Sequence, residues 1–202
     1  MSRRTLESAA ADHRAEVAAA ADAFGAIPED AWEVPLGDGK WSPAETAQHL
    51  TILYTPLVLE LSGGPCIGMR FPAWKRFAAR KIFLGRILRG DWYPRGVQSP
   101  PEARPAPPFP SYAEAPRLLR DAAEAFVQAI CTAHARGGGC ITHPYLGKLR
   151  APDALRFFAL HARHHREQLI RRMARRGAGP ELLSGQRAVE NQVVAAGLVE
   201  ER

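Results

Sequence analysis

The sequence predicts an all-α protein: a four-helix bundle with one extra basic helix and a long proline-rich crossover. Three observations predict it. Apolar residues recur at the three-and-four spacing of a helix face in every long segment. A capping box opens one of those segments. Nowhere does apolar and polar alternation of period two stand between hairpin turns. The chain has 202 residues, 46% of them hydrophobic and 24% charged, which suits one domain over 1–202 with a real core.

The first helix is expected over 5–25, an alanine-rich segment in which Leu6, Ala10, His13, Val17, Ala20, Ala21 and Phe24 share a face; alanine is the strongest helix former. Gly25 and Pro28 close it, and 29–41 is a connector rich in turn residues. Ser42-Pro43-Ala44-Glu45 reads as a capping box with proline at the first helical position. It opens a helix over 43–62 in which Leu50, Leu53, Leu57 and Leu61 point inward and Pro56 introduces a kink.

A basic amphipathic helix follows over 72–89, carrying Trp74, Phe77, Ile82, Leu84, Ile87 and Leu88. It is expected to cover the bundle or to form a two-fold interface, so a homodimer is one expectation. Residues 90–110 hold Pro94, Pro100, Pro101, Pro105, Pro107, Pro108 and Pro110. That density excludes helix and central strand and predicts an extended crossover along the surface, long enough for the flanking helices to lie parallel. A helix over 112–136 buries Leu118, Leu119, Ala122, Phe126, Ala129 and Ile130, and Gly137-Gly138-Gly139 ends it. A loop containing His143-Pro144-Tyr145-Leu146-Gly147 leads to the last long helix, over 152–176. The tail from 185 to 202 is expected to add one short helix.

Composition narrows the function. No apolar run reaches the ~20 residues of a membrane span, and no apolar segment follows Arg3 and Arg4 as in a secretory leader; a cytoplasmic protein without a membrane partner is the expectation. The three cysteines, Cys66, Cys131 and Cys140, form no C-x-x-C pair, which argues against a disulfide framework or a thiolate zinc site. The net charge is +6. Its arginines cluster at 70–89 and at 171–176. The second cluster suits the negative end of a helix dipole, and no nucleic-acid-binding motif accompanies either, so nucleic acid is not the expected partner.

The chemistry concentrates in the last helix. His161 and His165 stand four residues apart, so both aim at one point. Neutral imidazole is the common protein ligand for zinc, nickel and iron. His165 follows the apolar stripe of Leu155, Phe158, Ala162 and Leu169, and His161 lies beside it. Two imidazoles in a core without partners would be costly, and a shared metal removes that cost. His164 turns further toward solvent and reads as a surface histidine. His49, two turns into the second helix beside Leu50 and Leu53, can meet the pair from a facing helix; taken alone it reads as a satisfied core residue. Gln168 either hydrogen-bonds a ligand or stands as a polar residue at the helix edge. Trp41, Tyr54, His143 and Tyr145 are pocket candidates that read first as structural, and Arg163 and Arg166 point away by helical phase.

Trp41-Ser42-Pro43-Ala44-Glu45-Thr46-Ala47-Gln48-His49-Leu50 resembles the W-[ST]-x-x-[EQ]-x-x-x-H-[LI] signature of the DinB-like four-helix metalloproteins. His161-Ala-Arg-His164-His165-Arg-Glu-Gln168 is similar to their C-terminal H-x-x-[HR]-H-x-x-Q segment, and His143 to Leu149 resembles a loop of one uncharacterised branch. The resemblance covers roughly 40–170. It implies a DinB-like bundle with a divalent metal, zinc or nickel, on His49, His161 and His165 and with open positions for water or a ligand. It also implies a small-molecule substrate: known relatives include transferases of low-molecular-weight thiols, such as bacillithiol S-transferases and mycothiol-dependent maleylpyruvate isomerases. The expected function is therefore a metal-dependent thiol S-transferase or hydrolase. The alternative is a non-catalytic protein that holds a metal or small ligand in a stress response.

Overall fold

The computed structural model describes residues 5–68, 71–90, 93 and 99–175. Helix α1 runs Leu6–Gly25, with the Thr5 side chain accepting from the Ser8 amide at its start. Helix α2 runs Pro43–Ile52 and α3 runs Tyr54–Leu61. The expected single helix over 43–62 is thus two, joined at Leu53, which keeps right-handed helical angles. The cause is Pro56: it has no amide proton for the Ile52 carbonyl, and its ring crowds that carbonyl. The capping box is present in full. The Glu45 amide donates to Ser42 Oγ at 3.1 Å, and the Ser42 amide donates to Glu45 Oε2 at 2.7 Å.

The basic helix spans Ala73–Arg89 as α4 (Ala73–Ala79), a π-turn (Arg80–Leu84) and α5 (Gly85–Arg89). Leu84 and Ile87 are buried, whereas Trp74 and Phe77 are 68% and 65% exposed. Helix α6 runs Ala115–Ala135, starting three residues later than the 112 expected, and α7 runs Ala151–Arg175. The short helix expected over 185–202 lies outside the described residues.

The segment expected as a loop between α6 and α7 is a hairpin. Strand β1 (Cys140–His143) pairs antiparallel with β2 (Gly147–Arg150), His143 opposite Gly147. Period-two reading fails on four-residue strands, because Ile141 and Thr142 are both buried in sequence neighbourhood. The His143 Nδ1 accepts from the Tyr145 and Leu146 amides at 3.3 and 3.2 Å, and Gly147 takes a positive φ of 73° to complete the turn. Glu60 of α3 fastens the hairpin, accepting from the Thr142 amide at 2.9 Å and from Thr142 Oγ1 at 2.7 Å.

Helix α1 packs along α7 and α6, and α2 and α3 pack on α6, closing the fourth side of the bundle. The core between them is aromatic at its centre: the Phe126 ring stands 5.4 Å from Tyr54 and 5.6 Å from Phe158. His13 is fully buried there, its Nε2 3.0 Å from the Tyr54 hydroxyl. Burial holds the His13 pKa down to about 4, helped by Arg14 and opposed by Glu124. No described helix is long and apolar enough to cross a membrane.

Two outcomes follow from this packing. Glu60→Ala strands two Thr142 donors and should cost about 2–3 kcal/mol in urea unfolding, with Glu60→Gln costing less because it keeps one acceptor oxygen. Between the ordinary histidine value of 6.5 and about 4, the unfolded chain carries a proton at residue 13 that the folded chain refuses. Stability is therefore complete above that window and falls as the pH drops through it. His13→Gln should remove up to about 1.4 kcal/mol per pH unit from that slope, read from urea midpoints at pH 7, 6 and 5.

Candidate metal centre

The side of the bundle between α2 and α7 opens into a cleft of about 1090 Å³. The basic helix forms one wall through Ala79, Phe83 and Ile87, and the hairpin turn contributes His143 to Leu146. Three imidazoles meet at its floor. The capping box starts α2 at Pro43, and that start fixes the phase that turns His49 inward, only 3% exposed. His161 and His165 arrive from consecutive turns of α7, half-buried and facing the same cleft.

His161 Nε2 lies 3.4 Å from His49 Nε2 and 3.0 Å from His165 Nε2. One ligand atom from each of the three falls within 4.8 Å of the others. Bonds of about 2.0–2.1 Å from imidazole to zinc put tetrahedral ligand nitrogens ~3.3 Å apart, so the spacing suits one ion. His49 Nδ1 lies 2.6 Å from the Ala103 carbonyl, which can only accept. The proton therefore sits on Nδ1, and Nε2 presents a lone pair to the other two rings. One proton on His161 Nε2 can satisfy only one of its two neighbours. His161 Nδ1, moreover, is buried without a hydrogen-bond partner among the described residues. These nitrogens lack the donors they need, as a set of metal ligands does.

The electrostatics point the same way. Burial lowers the pKa of all three rings, well below the ordinary value for His161 and His165. For His161 the neighbouring histidines add to that effect, led by His165; for His165 they are His49 and His164, with Arg172. Ala103 opposes the shift at His49. All three rings are thus neutral at neutral pH, the form that binds metal.

The flanking rings fix the cluster in place. Trp41 stands 4.8 Å from His49 and stacks on His165 at 6.4 Å. Tyr93 stacks on His161 at 5.7 Å and on His164 at 4.7 Å. Of the pocket candidates, Trp41, His143 and Tyr145 line the cleft, while Tyr54 lies in the core against His13. The solvent-facing reading of His164 is corrected: its ring lines the cleft under Tyr93 and receives Gln168 Nε2 at 2.7 Å. Helical phase alone misplaced it, because the Tyr93 ring, remote in sequence, stacks on that side of α7. Arg163 and Arg166 do point away, pairing with Glu167 and Glu16.

Sequence reasoning missed Ala103 and Tyr93. Both belong to the crossover expected to run along the surface, yet Ala103 is buried. The turn Pro101–Ala103 docks on α2, and Gln48 pins the crossover, donating to the Pro108 carbonyl at 2.9 Å and accepting from the Ala106 amide at 2.7 Å. A backbone carbonyl leaves no mark on a sequence. Gln48, polar and next to His49, was the one available signal.

The family model described as the DinB superfamily matches residues 11–169. Among solved structures, YfiT from Bacillus subtilis superposes with a TM-score of 0.56 at 12% identity, over 89% of this chain and 91% of that one. That protein is described as a probable metal-dependent hydrolase with an unusual four-helix bundle topology. No curated protein matches the chain by sequence.

The Ala103 contact makes a direct forecast. In 15N histidine NMR of the protein at neutral pH, His49 should show a protonated Nδ1 and a bare Nε2; the opposite tautomer would mean that the lone pair faces Ala103, not the cleft.

Proposed function

The chain belongs to the DinB superfamily, and on that premise we propose that it is a divalent-metal-dependent enzyme acting on a small molecule in the α2–α7 cleft. His49, His161 and His165 are the ligands. The observation that carries this reading is the meeting of three neutral imidazoles, one of them locked as an acceptor by Ala103, around a point where no hydrogen-bond pattern satisfies them. Zinc or nickel suits an all-imidazole donor set.

A divalent ion held by these three ligands would act as a Lewis acid that lowers the pKa of a thiol or water, so that the proton is lost to solvent near neutral pH. The protein residues do the rest. Ala103 keeps the His49 proton away from the cleft. Trp41 and Tyr93 hold the imidazoles in orientation and shield them from water. Gln168, tethered to His164, presents its remaining amide groups to a substrate. The reaction class is thiol transfer or hydrolysis, in both of which the activated nucleophile attacks an electrophilic centre held in the cleft. YfiT, with the same fold, carries the hydrolase description.

Purified protein should contain about one equivalent of divalent metal by elemental analysis. His49→Ala and His165→Ala should lose it while remaining folded, and His134→Ala, an exposed position on α6, should keep it. A thiol-conjugation and ester-hydrolysis screen should then find turnover only in the metal-loaded forms. Retention of metal in both ligand variants would refute the site, and metal without any turnover would make the protein a binder instead.

A further inference from the structure

The cleft has a charge pattern that the proposed metal does not use. Among its described lining residues stand three cations, Lys40, Arg104 and Arg172, and not one aspartate or glutamate. The rest of the chain mixes signs: Arg14 pairs with Glu124, Arg117 with Asp121, and Arg166 with Glu16. None of the three cleft cations forms an ion pair with a described carboxylate.

All three lie close in the chain to the residues that form or flank the histidine cluster. Lys40 precedes Trp41, the ring that packs on His49 and His165. Arg104 follows Ala103, whose carbonyl binds His49. Its guanidinium donates to the Ser99 carbonyl at 3.0 Å, which holds it at the rim. Arg172 lies one turn past Gln168 on α7 and acts electrostatically on His165. Two of the three thus neighbour, along the chain, residues that contact His49, and the third acts on His165. The cleft also has an apolar lining, with Ile67, Phe83 and Ile87 beside Phe157 of α7.

Arg172 is the most telling of the three. It is half-buried, and burial with the like charges of Arg171 and Arg175 disfavours its charged form. Among the described residues no carboxylate serves it as a counter-ion. Guanidinium pairs with carboxylate through two parallel hydrogen bonds, and such charge-assisted contacts are among the strongest available in a partly dry site.

We propose that the cleft selects an organic carboxylate with an apolar or aromatic body, the anionic end held by Arg172, Arg104 and Lys40 beside the histidine cluster and the body laid against the Phe83–Phe157 wall. This rests on reading the cleft as a substrate site, but it does not rest on the metal.

The test is calorimetric titration of the metal-loaded and the chelator-treated protein with 4-phenylbutyrate and with the uncharged 4-phenylbutanamide, metal content being measured on the same samples. The carboxylate should bind at least tenfold more tightly than the amide in both forms. Arg172→Gln and the rim variant Arg104→Gln should each reduce that preference at least threefold, leaving amide affinity and the circular dichroism spectrum unchanged. Equal affinity for acid and amide, no binding of either at millimolar concentration, or a preference untouched by both variants would overturn the proposal. A preference that disappears on chelation alone would also overturn it, assigning the carboxylate to the metal and leaving the metal reading intact. A preference that persists in protein unable to hold metal would sustain it while that reading failed.

Discussion

The hydrogen bond from His49 Nδ1 to the Ala103 carbonyl is the contact on which the centre depends. An imidazole offers a lone pair at one nitrogen only while its proton is held at the other. At 2.6 Å the carbonyl holds it firmly. Everything upstream serves that contact. The Ser42–Glu45 capping box sets where α2 begins, the start of α2 sets the rotation of His49, and Gln48 ties the crossover so that Ala103 meets the ring. Among the described residues His161 has no equivalent: its buried Nδ1 meets no hydrogen-bond partner there. The three imidazoles are therefore not equally held, and the anchor lies on α2.

The bundle bears the cost of this arrangement through its geometry. Burying polar rings without partners is expensive, and the cluster lies in the seam between α2 and α7, which opens into the cleft. On the opposite sides α1 is clasped between α6 and α7, with the Phe126, Tyr54 and Phe158 rings interlocked beneath. The basic helix and the hairpin then wall the open seam, and Glu60 holds the hairpin in place through Thr142. The result joins a rigid floor to a spacious cleft, which is the combination a ligand-accepting metal site needs.

Much of this was legible in the residues. The capping box located the start of α2 to the residue, the four-residue spacing of His161 and His165 predicted a shared target, and Pro56 predicted a kink where the helix divides at Leu53. What escaped reading was tertiary. Ala103 acts through its backbone, so no side-chain type announces it. Tyr93 lies in a proline-rich stretch that local rules can describe only as extended. His164 sits beside the apolar stripe by helical phase and joins the cleft lining through the Tyr93 ring stacked on it. The hairpin strands are four residues each, too short for alternation to emerge, and their pairing is enforced by Glu60 from a distant helix. Each failure has one cause: contacts between segments remote in sequence decided the outcome.

The central claim is that the three imidazoles share one ion. X-ray absorption spectroscopy of the metal-loaded protein addresses it directly. Three imidazole nitrogens should stand in the first coordination sphere at about 2.0–2.1 Å for zinc. A sphere made of oxygen or sulfur donors, or one with fewer than three imidazoles, would contradict it.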